Sequence, residues 1–402
     1  MESLENPVRP YAWGSRTVIA ELLGEPVPSP HPQAEMWLGA HPGDPSRLAH
    51  GASLLELLAA DPETHLGTER AARWSGTLPF LLKVLAADEP LSLQAHPSLD
   101  QAKEGFAREN AAGIPLDASH RNYKDPNHKP ELICALTEFH ALVGFRDPVE
   151  TLGLLRALDV PELAAHVDLL AAQPDADGLR ALFTTWITLP QGMLDELVPA
   201  LQKAAVRLAG AADGWALEAR TALELSERYP GDAGVLAALL LNRVVLQPGQ
   251  AAYLPAGNLH AYLQGAGVEL MANSDNVLRG GLTSKHVDVP ELLRVLDFAA
   301  GPPPIHAGTP EGEWLRYDTP AEEFLLRAWH GADGLTARLP VPAGGPRILL
   351  CTAGKACVRS GEAVLGLTKG RALFLGAAEH GVEIESAEPG TQLYLAGDAL
   401  SS

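Results

Sequence analysis

The sequence predicts a mainly β protein in which a helical module interrupts the first β domain and a second β domain closes the chain. Three observations predict it. The 33 prolines and 38 glycines among 402 residues imply many turns between short strands. Apolar runs of four to eight residues bounded by Pro, Gly, Asp and His recur on both sides of the chain's middle, as strands do. Between them the period changes, with Leu194, Leu197, Val198, Leu201, Ala205 and Leu208 three and four apart, the spacing of one buried helix face.

From Met1 to about Asp147 the pattern is short strands such as Leu78 to Leu85 joined by turns, with one helix near Leu54 to Ala60 introduced by Ser53 and Glu56 at capping-box spacing. Residues 148–234 form the helical module, rich in Ala, Leu, Glu and Arg. Strand character returns at Val244-Val245-Leu246-Gln247-Pro248-Gly249, so residues 1–147 and 235–300 are expected to be two parts of one domain whose flanks pack together. Gly301-Pro302-Pro303-Pro304 reads as a linker to residues 301–402, where strands such as Phe324 to Arg327, Arg347 to Leu350 and Ala372 to Leu375 alternate with glycine.

Composition narrows the function. With 30 Lys and Arg against 50 Asp and Glu the formal charge is −20, which repels a polyanion and argues against nucleic acid as a partner. An anionic substrate therefore needs a local basic pocket. Cys134, Cys351 and Cys357 follow no paired or metal-like spacing, as expected of packing residues in a reducing compartment. Neither a leader-like amino terminus nor a run of about 18 apolar residues occurs, so the expectation is a cytoplasmic, membrane-free and monomeric protein.

One segment carries metal chemistry. Gly249 to His260 holds a glycine turn, a five-residue strand, a Pro-x-Gly turn and a histidine three residues after its glycine. Turns at both strand ends fix where the histidine points. The spacing resembles the second metal motif of the cupin superfamily of small β-barrels. Gln94 and His96 stand two apart, on one face if they lie on a strand, and Glu131 would complete a set of one Gln, two His and one Glu. Nitrogen and oxygen ligands of this kind suit zinc with one position left open. Two His and one carboxylate can also hold non-haem iron for oxygen chemistry, but Gln94 would fill a position that oxygen needs. A sugar-phosphate-binding cupin without catalysis is the other alternative.

Further blocks extend the likeness. Pro10 to Gly14, Ala34 to Gly39, Leu78 to Leu85, Leu91 to Pro97, Asn127 to Glu131, Tyr253 to Tyr262 and Glu269 to Arg279 resemble, in order, the signature blocks of the type I mannose-6-phosphate isomerase family. The resemblance covers roughly residues 7–147 and 235–298; the helical insert and the carboxy-terminal domain match in placement only. It implies a catalytic cupin or jelly-roll barrel, one zinc per chain on Gln94, His96, Glu131 and His260, and conversion of an aldose phosphate to a ketose phosphate through an enediol. It puts the family's active-site arginine on Arg279. The other polar positions its motifs place around the pocket are Glu269, Asp275, Lys129, His128, Lys83 and Lys285.

Physical chemistry adds roles to these positions. The base that removes the C2 proton should have a pKa near neutrality. Glu269 is the first candidate, since burial would raise its carboxyl, with Lys129 and His128 behind it. Arg279 could face the enediolate or form a forked pair with phosphate. Lys83, Lys285 and Ser92 are candidates for the phosphate, while Trp13 and Tyr262 are open between packing and sugar contact and Trp37 reads as packing. Near the end, Gly370 to Gly376 repeats the glycine, strand and turn of Gly249 to Pro255. No Gln-x-His pair precedes His380 there, so the second jelly-roll domain is expected to be degenerate and structural.

Overall fold

The structure is a computed structural model that describes residues 1–211, 214–335 and 338–400. It is mainly antiparallel β with a helical module in its middle. The strand Phe80–Ala87 shows how the first sheet is built. Phe80, Leu82, Val84 and Ala86 enter one core while Leu81, Lys83 and Leu85 turn to the other face. Period-two alternation splits its flanking strands in the same way: Leu132 and Cys134 of Glu131–Ala135, and Val268 and Leu270 of His260–Ala272, join the first core. Glu131 and Glu269 are left facing the side of Lys83.

His260–Ala272 is long because it serves two ladders. Its first residues pair with Phe139–Phe145 and, at His260, with Gln94; Gly265 to Ala272 pair with Phe80–Ala87. The change falls at Gly265, whose φ of +118° and 2.5 Å approach of a would-be Cβ to the Glu138 carbonyl exclude any side chain. Phe139–Phe145 also pairs with Leu241–Leu246, so the strands on either side of the helical module are neighbours. The module runs from Pro148–Leu158 to Gly234–Ala238 and packs Leu154, Leu182, Phe183, Trp186, Leu201 and Leu225 against Leu93, Leu259 and Leu278 of the β domain.

Near the carboxy end, Leu325–Gly331, Thr391–Gly397, Arg347–Ala353 and Ala372–Leu375 form the centre of an eight-stranded sheet. One of its faces packs on a four-stranded sheet through Trp314, Trp329, Val358 and Ile384. The other meets the first sheet through Tyr317, Phe324, Ile348, Phe374 and Tyr394.

Two expectations need correction. Residues 1–147 hold not one helix but several, Val18–Leu23, Leu54–Ala60, Pro62–Leu66, Thr68–Arg73 and Leu99–Ala111. The capping box of Ser53 and Glu56 is present as expected. The boundary near residue 301 is also crossed in both directions. The amino-terminal strand Glu2–Glu5 lies between Ala372–Leu375 and Arg47–Leu48 in the eight-stranded sheet, while Ile305–His306 pairs with Ala251–Leu254 of the first. Strand partners are chosen by distant hydrophobic faces, which linker composition does not report.

Candidate metal centre and substrate cavity

The turn that aims His260 depends on Gly257. Its φ is +78° and a Cβ there would lie 3.0 Å from Asp297, while its N–H donates to the His96 carbonyl at 2.8 Å. His260 Nδ1 lies 3.1 Å from the Asn258 carbonyl, and His96 Nδ1 lies 2.7 Å from the Asn276 carbonyl. A carbonyl only accepts, so Nδ1 of each ring carries the hydrogen and Nε2 presents a lone pair. Both Nε2 atoms lie 3.4 Å from Glu131 Oε2, and the three ligand atoms fall within 4.8 Å of one another, all buried.

This set fits a divalent metal on its own geometry. His96 Nε2 is buried with no hydrogen-bond partner, a state that an ion would relieve. Gln94 pairs across the ladder with His260 on one side and Arg279 on the other, so it stands beside the triad. Burial pushes the His96 imidazole down, toward the neutral form a ligand needs. Burial would raise the Glu131 carboxyl, but His96 and Lys129 hold it well below the usual range.

Behind the triad lies a buried charge cluster. Lys83 Nζ donates to Glu269 Oε2 at 3.1 Å and lies 3.7 Å from Glu35 Oε2. Tyr262 donates its hydroxyl to Glu269 Oε1 at 2.9 Å, and the Trp37 indole N–H donates to Glu35 at 2.6 Å. Burial would lower the Lys83 ammonium, yet Glu269, Glu35 and Glu131 together raise it. For Glu269 burial wins, and its carboxyl is pushed up despite Lys83.

Beyond Gln94 and Lys129, which stand beside the triad, opens a cavity of about 600 Å³. Its wall includes Trp13, Ser92, Gln94, Lys129, Asp275, Arg279 and Lys285, together with Lys83, Trp37 and Tyr229. Lys129 also reaches the inner recess shared with Glu131, His260 and Glu269, its ammonium 3.3 Å from Glu131 Oε1. The Arg279 guanidinium and the Lys285 ammonium have no hydrogen-bond or ion-pair partner among the described residues. Burial lowers the Arg279 guanidinium, and burial with Arg279 nearby lowers the Lys285 ammonium. Two unpaired cations facing one cavity in an acidic protein make the local basic pocket that an anionic substrate requires.

Not every expected residue arrives at the cavity. His128 turns to Glu323 of the carboxy-terminal region, with Nε2 2.6 Å from Oε1, and is not among the wall residues. Lys83 is at the wall but is matched by two carboxylates, so it is not a free cation for phosphate. Tyr262 lines the inner recess and Asp275 stands 3.4 Å from His41 Nε2. Sequence reasoning passed over Glu35 and Asn276. Glu35 sits in the block Ala34 to Gly39, but nothing within one strand names its partner. The Asn276 amide donates to the carbonyls of Asp125 and Asn127 at 2.8 Å each and accepts from Lys124 N–H at 2.6 Å, so one side chain holds the loop leading to Lys129 while its own carbonyl orients His96.

Known proteins share this architecture. The model of the family described as phosphomannose isomerase type I, catalytic domain, matches residues 1–148. The chain is 42% identical over 393 residues to the mannose-6-phosphate isomerase of Escherichia coli (strain K12), covering 96% of this chain and 97% of that protein. Mannose-6-phosphate isomerase 1 of Arabidopsis thaliana is 34% identical over 400 residues, covering 94% of this chain and 89% of that protein. Among solved structures, mannose 6-phosphate isomerase from Salmonella typhimurium bound to fructose 6-phosphate and zinc matches with a TM-score of 0.90 and 39% identity, with 100% of both chains covered.

Proposed function

The chain belongs to the type I mannose-6-phosphate isomerase family, and from that premise we propose a division of labour among its residues. It is a zinc-dependent isomerase that interconverts mannose 6-phosphate and fructose 6-phosphate. The observation that carries the assignment of its site is the triad of His96, Glu131 and His260, whose recess shares Gln94 and Lys129 with a cavity walled by the unpaired side chains of Arg279 and Lys285.

His96, Glu131 and His260 hold the zinc, with Gln94 as the fourth ligand. When bound there, zinc supplies a Lewis acid that polarises neighbouring substrate oxygens. Arg279 lies across the ladder from Gln94, which favours the reacting end of the sugar; its guanidinium takes up the negative charge that develops on the enediolate. Lys285 and Ser92, at the same wall, receive the phosphate. Trp13 gives the sugar an aromatic wall and Asp275 a hydroxyl partner.

Proton transfer needs a group that meets the substrate. Glu269, first by sequence, has one carboxylate oxygen held by Lys83 and the other by Tyr262, and it lines only the inner recess. Lys129 faces both spaces. We therefore assign the C2 to C1 proton transfer to Lys129, with Glu269, Lys83 and Tyr262 as the buried cluster that positions it.

The domain reading stays close to the expectation: a cupin-type barrel from residues 1–147 and 235–300, a helical insert at 148–234, and a structural jelly roll at 301–402 with the strand exchanges described above. No described helix is long and apolar enough to cross a membrane. A cytoplasmic monomer remains our reading, with the three unpaired cysteines supporting a reducing compartment. Light scattering tests the monomer.

The test is conversion of mannose 6-phosphate to fructose 6-phosphate by wild type, by chelator-stripped and zinc-restored protein, and by His260→Ala. Loss on stripping, recovery with zinc and inactivity of the variant are expected. Turnover indifferent to both chelation and the variant would overturn the ligand set.

A further inference from the structure

One carboxylate of the helical module holds a wall segment of the substrate cavity. Asp232, between the last long helix and Gly234–Ala238, accepts from the N–H groups of Gly234 at 2.7 Å and Leu282 at 2.9 Å on Oδ1, and from Thr283 N–H at 3.1 Å on Oδ2. Leu282 and Thr283 are cavity-wall residues, as are Ser284 and Lys285 after them. The segment holds a conformation that it would not keep unaided. Leu282 has φ +54° and Gly281 φ +116°, the left-handed region that a residue with a Cβ adopts only at a cost.

The contact is made backbone to backbone. A Cβ on Gly281 would lie 2.6 Å from Gly234 Cα, and one on Gly234 would lie 2.5 Å from Leu282 N. On its other side the segment is tied to the metal-bearing strand, since Gly280 N–H donates to the Leu93 carbonyl and Leu93 N–H to the Gly281 carbonyl. The module gives a second contact at the same wall. Tyr229 lines the cavity and donates its hydroxyl to the Pro90 carbonyl at 2.7 Å.

We infer that Asp232 is a positioning residue for substrate binding: it clamps the 281–285 segment in its strained form and so sets Lys285 where the substrate's phosphate arrives. The helical insert is thereby part of the active site. This rests on the reading that Lys285 meets the phosphate. A segment held for binding alone acts on ground state and transition state equally, so its loss raises KM and spares kcat.

The experiment compares wild type, Asp232→Asn, Asp232→Ala, Lys285→Ala and the Asp232→Ala/Lys285→Ala double variant, each assayed for KM, kcat and bound zinc. Charge-assisted hydrogen bonds of this kind predict a KM raised about tenfold or more in Asp232→Ala, with kcat within about threefold and zinc retained. Asp232→Asn, which keeps an acceptor for Gly234 and Leu282 but not for Thr283, should fall between. In the double variant the KM should be no worse than about that of the weaker single variant, because the two act in series. A wild-type KM in Asp232→Asn and Asp232→Ala, loss of kcat together with zinc, or single effects that multiply would overturn the inference. If Asp232→Ala does not fold, Asp232→Asn decides by its KM alone. Failure of the underlying reading shows separately, as an unchanged KM in Lys285→Ala or an inactive wild type.

Discussion

Replacing Lys83 by methionine tests the buried charge cluster. Methionine keeps most of the volume and removes the one cation that lies 3.1 Å from Glu269 and 3.7 Å from Glu35. All three residues are under 9% exposed, so water does not screen what remains. Breaking a buried pair by deleting one partner costs roughly 3–5 kcal/mol, which in a chain of this length should lower the unfolding midpoint by roughly 4–6 °C. The pH dependence is more diagnostic. In the wild type burial pushes the Glu269 carboxyl up while Lys83 opposes it; without Lys83 it rises further. A carboxyl whose folded pKa exceeds its unfolded value binds its proton more tightly when folded. Stability is then full below the unfolded value and falls as pH rises toward the folded one, by about 1.4 kcal/mol per pH unit. The deficit of Lys83→Met relative to wild type should therefore be smaller at pH 5 than at pH 8, measured by calorimetry on zinc-loaded protein. A deficit that is constant with pH, or larger at pH 5, would refute the cluster as described.

Two other perturbations address neighbouring parts of the site. Arg279→Ala should lower kcat/KM by about 10²–10³, chiefly in kcat, with Arg279→Lys recovering only part; a change confined to KM in steady-state assays would move Arg279 to the phosphate instead. Gly257→Ala forces a Cβ onto a φ of +78° and against Asp297, which should cost about 1–3 kcal/mol of stability and speed zinc release to a chromogenic chelator. Unchanged melting and release would show that this turn does not aim His260.

The group His96, Glu131 and His260 was legible because its residues fall in ordered blocks, the last with its own turn signals, and the helical module because its leucines keep the period of a buried face. The helix Leu99–Ala111 was not read, although Ser98 and Gln101 form a capping box. Its buried face is Ala102, Gly105 and Glu109, with Gly105 under the Tyr123 ring and Glu109 accepting from the N–H groups of Asn122 and Tyr123, so hydrophobic period is absent where packing is tight. Glu35 and Asp232 were invisible for a different reason. Each acts on a partner from a remote segment, and a single strand or loop carries no record of what it will face. His128 was chosen for its chemistry, and only the fold reveals that Glu323 takes its ring.

The placement of Glu2–Glu5 between Ala372–Leu375 and Arg47–Leu48 bears on synthesis. A ribosome delivers this strand about 370 residues before its principal partner. For most of translation one edge of the strand has no ladder to join, and pairings that span nearly the whole chain are slow to form. During that interval it is an open edge, the kind of surface through which nascent chains find each other. Slowed elongation between Glu5 and Ala372 should act there first: on the yield of correctly folded enzyme, with the chemistry of each finished molecule left intact.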